Sequence, residues 1–137
     1  MKDYNHIERL LERFYNAETS EREEQELLFQ WAELKRGMFP DLELMFHIPN
    51  GGSRNVIEAK NLKKQGVKPG VPDICLPVPR WGWHGLFIEL KRQKGGRATP
   101  EQLEYIEDLK DQGYAAEICH GFDEASKFIL DYLEGRL

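Results

Sequence analysis

In Val71-Pro72-Asp73-Ile74-Cys75-Leu76 a single charge, Asp73, interrupts a run that otherwise reads as buried strand. Further on, Glu89 and Lys91 do the same in Gly85-Leu86-Phe87-Ile88-Glu89-Leu90-Lys91. The two-residue period of a strand sets Phe87, Glu89 and Lys91 on one face and Leu86, Ile88 and Leu90 on the other. If the two runs pair as strands, Asp73 and Glu89 meet beside the Lys91 ammonium. Two carboxylates at one buried point repel, so one takes up a proton unless a cation lies between them. Oxygen donors suit a hard divalent ion, magnesium or manganese. An ammonium two residues along is then placed to stabilise negative charge developing on a phosphate oxygen. The expected chemistry is metal-assisted phosphoryl transfer.

The charge pattern around this pair agrees. The chain of 137 residues carries a net charge of −5, which taken alone argues against a polyanionic partner. The average conceals three blocks: residues 1–46 carry a net −5, residues 47–100 a net +7 and residues 101–137 a net −7. The basic block coincides with the candidate site, and this local field is what a phosphate backbone meets. A solvated basic face is the ordinary alternative. The length fits one domain spanning residues 1–137, and a composition 40% hydrophobic and 31% charged fits a folded globular chain. No apolar run approaches membrane-spanning length, and Met1-Lys2-Asp3-Tyr4 lacks a signal-peptide core, so no membrane association and a cytoplasmic location are expected. Cys75 and Cys119 sit in apolar runs and are expected as reduced packing residues.

The elements that must position these groups follow from periodicity. Ile7, Leu10, Leu11 and Phe14 recur at helical spacing over residues 5–16. Ser20 with Glu23 forms a capping box opening a second helix, whose expected apolar face is Leu27, Leu28, Trp31 and Leu34. Glu21 lies at the edge of that face and Glu24 nearer its centre; either is a candidate inward carboxylate, although the helix dipole favours first-turn glutamates in any case. Residues 42–48 read as a strand, followed by a Pro49-Asn50-Gly51-Gly52 turn. Residues 54–65 read as a helix with Val56, Ala59 and Leu62 on one side and Arg54, Lys60, Lys63 and Lys64 on the other. Trp81 and Trp83 fall in a loop, available equally for base stacking or for plugging the core edge. After Lys91 comes a basic loop, then a helix capped by Thr99 and Gln102 that buries Leu103, Ile106 and Leu109. A strand over residues 114–119 and a helix over residues 123–133 close the chain. The order α-α-β-α-β-β-α-β-α describes an α/β fold with a mixed sheet and helices on its faces. None of the four histidines has zinc-type spacing with the cysteines, and His47 is a candidate either for lining a groove or for a structural hydrogen bond.

Three strings together carry a family resemblance: Phe46-His47-Ile48-Pro49-Asn50-Gly51-Gly52, Gly66-Val67-Lys68-Pro69-Gly70-Val71-Pro72-Asp73 and Gly85-Leu86-Phe87-Ile88-Glu89-Leu90-Lys91. With Thr99-Pro100-Glu101-Gln102 and Gln112-Gly113-Tyr114, they resemble the VRR-NUC (virus-type replication-repair nuclease) family, a branch of the PD-(D/E)XK nucleases. The likeness spans roughly residues 20–134, leaving residues 1–17 as an extra N-terminal helix. It implies a restriction-endonuclease-like core and a metal-dependent, structure-specific DNA endonuclease acting on branched DNA of the flap or Holliday-junction type. It also implies metal ligation by Asp73, Glu89 and the Leu90 backbone carbonyl, with Lys91 orienting water or steadying the transition state. Glu21, four residues before Gln25, matches the family's first-helix acid best, with Glu24 second, and Gln102 matches a glutamine near the site. Magnesium is the implied cofactor, with manganese as a substitute. Stand-alone members resemble phage-encoded DNA-repair enzymes, which implies a homodimer. The residues expected to meet DNA are His47, Asn50, Arg54, Lys60, Lys63, Lys64, Lys68, Arg92, Lys94 and Arg97. The competing reading is a non-catalytic DNA- or partner-binding module on the same fold, and a third is an enzyme acting on RNA.

Overall fold

A computed structural model of the chain describes residues 4–49 and 55–137. Among the described residues five α-helices and four strands follow in the expected order: α1 (Tyr4–Tyr15), α2 (Glu21–Lys35), β1 (Phe46–His47), α3 (Val56–Lys64), β2 (Ile74–Leu76), β3 (Leu86–Lys91), α4 (Pro100–Asp111), β4 (Ala115–His120) and α5 (Phe122–Leu133). The strands form one mixed sheet in the order β1-β2-β3-β4, with β1–β2 and β2–β3 antiparallel and β3–β4 parallel. Parallel neighbours need a crossover, and α4 supplies it. The core is built from Ile74 and Leu76 of β2 and Leu86, Ile88 and Leu90 of β3. Against them pack Leu28 and Ala32 of α2 and Ala125, Ile129 and Tyr132 of α5. Both faces of β3 are covered, so its charged residues are enclosed rather than solvated.

Local signals in the sequence set most helix ends. Ser20 and Glu23 form the expected capping box on α2, and Thr99 and Gln102 form the one on α4. Cys75 and Cys119 are buried free thiols, and burial raises both pKa values, that of Cys119 to about 12. Among the described residues no helix is long and apolar enough to cross a membrane.

Several expectations fail for reasons of packing. Residues 40–44 form a 3-10 turn, Pro40–Leu44, rather than the start of a strand, and only Phe46–His47 pairs. Leu42 and Met45 are the two buried positions, and their three-residue spacing is that of a helical turn, not of a pleat. The buried stripe of α2 is Glu24, Leu28 and Ala32, so the helix is rotated from the expected face and Leu34 is left 85% exposed. No residue of α3 is buried, and Val56 is exposed. In α4 Ile106 is buried but Leu103 is exposed. The first site strand is shorter than the apolar run, leaving Asp73 in the bend before it. Trp83 packs against the core, while the exposed Trp81 donates its indole N–H to the Leu133 carbonyl at 3.2 Å and lies against Gly135.

Candidate active site

The register of β2 on β3 aligns Ile74 with Ile88, so Asp73, one residue earlier, comes level with Glu89. Its carboxylate is fixed there: Asp73 Oδ2 accepts the Leu90 backbone N–H at 2.9 Å. The carbonyl oxygen of Asp73 accepts the Ile48 N–H at 2.6 Å and meets His47 Nδ1 at 2.9 Å. A carbonyl only accepts, so Nδ1 of His47 carries a proton and donates here. Thus β1, β2 and β3 are tied together at the aspartate.

Glu89 is 2% exposed and Lys91 is 8% exposed. Glu89 Oε1 lies 3.5 Å from Lys91 Nζ and accepts a hydrogen bond from Gln102 Nε2 at 2.9 Å. Glu89 Oε2 is buried with no hydrogen-bond partner. Burial, reinforced by the charge of Asp73 and only partly opposed by Lys91, pushes the Glu89 carboxyl up to about 8. The Gln102 amide is oriented by its cap, its oxygen accepting the Thr99 N–H at 2.9 Å and its nitrogen facing Glu89. The connector leading to Asp73 is pressed against the same turn. Gly70 has φ +84°, and a Cβ there would sit 2.5 Å from the Glu101 carbonyl oxygen, so only glycine fits.

A pocket of about 300 Å³ opens beside these groups, lined by Glu21, Arg22, Gln25, His47, Pro49, Asp73 and Leu90. Geometry separates the two first-turn glutamates. Glu21 is exposed on the pocket wall. Glu24 is fully buried and accepts from Thr19 Oγ1 at 2.7 Å, Gln93 Nε2 at 2.5 Å and the Phe122 N–H at 3.0 Å. Its oxygens are consumed in joining α2 to the loop after β3 and to the start of α5. Sequence reasoning did not select Arg22 or Pro49 for the pocket, and it used Gln25 only as a marker for Glu21. The helical spacing of Glu21 and Gln25 is the signal that could have placed Gln25 there.

The donor set fits a hard divalent cation. Two carboxylates converge, one of them carries an orphaned buried oxygen, and a positive ion would relieve both the desolvation and the repulsion that raise Glu89. Among the described residues no group of three His, Cys, Asp or Glu side chains converges. Leu90, whose backbone carbonyl was expected as a further ligand, and Glu21 line the same pocket. Of the basic residues expected to meet DNA, Lys60, Lys63 and Lys64 are exposed on α3, Lys68 lies in the connector to β2, and Arg92, Lys94 and Arg97 are exposed after β3. Asn50 and Arg54, with the turn over residues 50–52, lie outside the described residues.

A family model described as the VRR-NUC domain matches residues 6–123. A solved structure described as a VRR-NUC domain protein is 34% identical, with a TM-score of 0.73, over 85% of this chain and 89% of that chain. No curated protein matches.

Proposed function

This chain belongs to the VRR-NUC domain family, a nuclease-type domain, and on that premise we propose that it is a magnesium-dependent endonuclease hydrolysing phosphodiester bonds in branched DNA. The observation that carries the reading is the buried Glu89 carboxyl beside the Asp73 carboxylate, with Glu89 Oε2 given no donor by the fold, so that a proton or a cation must lie between the two acids. Asp73, Glu89 and the Leu90 carbonyl would hold the ion, and manganese would serve in place of magnesium. When bound, the ion supplies charge neutralisation at the scissile phosphate and lowers the pKa of a water molecule.

The chain's own groups do the rest. Lys91, held 3.5 Å from Glu89, offers ammonium protons to the attacking water or to a phosphate oxygen. Gln102 keeps Glu89 from turning away by donating from its amide nitrogen, while its amide oxygen closes the α4 cap. Glu21 adds negative charge at the rim, where it can orient water. His47, with Nδ1 committed to the Asp73 carbonyl, leaves Nε2 for a hydrogen bond to DNA. The lysines and arginines of α3, the connector and the loop after β3, with Asn50 and Arg54, neutralise backbone phosphates. Two copies about a twofold axis would give a pair of sites suited to a four-way junction, so a homodimer is part of this reading.

The test is incubation with labelled linear, flap and four-way-junction DNA, and a matching RNA, in magnesium, manganese or chelator. Cleavage of branched DNA in either metal and none in chelator is expected. Tight binding without cleavage in both metals would replace the enzyme with a binding module on the same fold.

A further inference from the structure

α3 sits between the two strands that tie down the aspartate, yet none of its nine residues is buried. A helix this short is marginal by itself, and of its large apolar residues only Leu62 is even half-buried. Val56 is 81% exposed and Ile57 is 74% exposed. They form its first turn, set by Asn55, whose side-chain oxygen accepts the Glu58 N–H at 2.7 Å. Lys60 lies four residues beyond Val56 and three beyond Ile57; Lys63 and Lys64 lie one further turn along. Helical spacing puts all five on one continuous stripe, apolar at its head and cationic along its length. Beside the stripe, Asn55, Ile57, Glu58, Asn61, Leu62 and Gln65 border a shallow, open depression of about 470 Å³. Amides match the hydrogen-bonding edges of a nucleobase, and Ile57 and Leu62 match its faces.

A purely phosphate-binding helix has no use for exposed Val56 and Ile57, and a protein-docking helix has no use for three lysines in line with them. An apolar tip followed by cations is the chemistry of a wedge that unstacks a base while its flanking phosphates are held. We propose that α3 is the branch-sensing element of this protein: Val56 and Ile57 pack on the unstacked base at a strand discontinuity, the adjoining depression receives its edge, and Lys60, Lys63 and Lys64 hold the flanking phosphates. The proposal rests on the reading of the protein as a branched-DNA enzyme and assigns to one helix the distinction between a branch and a continuous duplex.

The experiment measures binding in chelator, so that cleavage plays no part. Fluorescence anisotropy of the full chain on a flap, a four-way junction and an unbranched duplex gives the ratio of branched to duplex affinity. The V56S/I57S double substitution removes the apolar tip at exposed positions and is expected to lower that ratio about tenfold. 2-Aminopurine placed at the branch is expected to brighten with the wild-type protein and to stay quenched with the double variant. An unchanged ratio, or a wild-type protein with no branch preference, would overturn the proposal. So would a fall in the mass of the particle on substitution, measured by light scattering, because the stripe would then be a contact between copies. A branch preference that is lost in V56S/I57S, from a protein that cuts nothing in magnesium, would leave the wedge standing and remove the nuclease reading.

Discussion

Gln102 donates to one carboxylate oxygen of Glu89 at 2.9 Å, while the other oxygen of Glu89 is buried without a partner. A side chain that also caps a helix thus fixes the rotation of the carboxylate and leaves its second oxygen available to a cation. If that is its role, Q102L should weaken magnesium binding about 10- to 100-fold, the range typical when a hydrogen-bond partner of a ligand is lost. T99A is the control, removing the cap hydroxyl at about 1 kcal/mol while keeping the amide that faces Glu89. Cleavage rate against magnesium concentration separates the two: the Q102L curve moves to higher metal and the T99A curve does not.

Removing charge at the centre should separate activity from stability. D73N and E89Q are each expected to lower cleavage by at least about 1000-fold, the order of a lost group in a preorganised site. Without metal, neither should lower the melting temperature appreciably, and E89Q should raise it, because it replaces a carboxylate whose ionisation burial opposes. Retention of full magnesium-dependent cutting by D73N would refute the site.

The raised Glu89 pKa has a signed consequence for the metal-free protein. The folded value of about 8 stands above the ordinary 4.5, so folding favours the protonated form. That contribution is fully present below the unfolded pKa and is lost as pH rises through about 8, a change on the order of a few kcal/mol. Urea unfolding in chelator should therefore show a lower midpoint at pH 9 than at pH 5. Magnesium should restore much of the difference at pH 9, and its affinity should increase with pH up to about 8 as the competing proton leaves.

The two glutamates of the first turn of α2 should behave oppositely. E21A, at an exposed position on the pocket wall, should change stability by less than about 0.5 kcal/mol while reducing cleavage. E24A strips the partner from Thr19, Gln93 and the Phe122 N–H and should cost about 2–4 kcal/mol. Chemical denaturation beside an activity assay reads both. Equal stability losses in the two variants would contradict the division of labour between them.

The sequence alone determined the order of elements, the capping boxes at Ser20 and Thr99, the alternation of β3 and the pairing of a Pro-Asp run with a Glu-x-Lys run. These are properties of one segment at a time, set by period and by side chains within a few residues of each other. Tertiary structure decided the rotation of α2, which buries Glu24 and sends Glu21 to the pocket, because the donors that saturate Glu24 include partners 69 and 98 residues away. It decided too that Leu42 and Met45 face inward from a 3-10 turn, and that α3 keeps Val56 and Ile57 in solvent. A hydrophobic period states that a face exists; what lies opposite that face, and whether anything does, depends on contacts between segments that no single stretch of sequence contains.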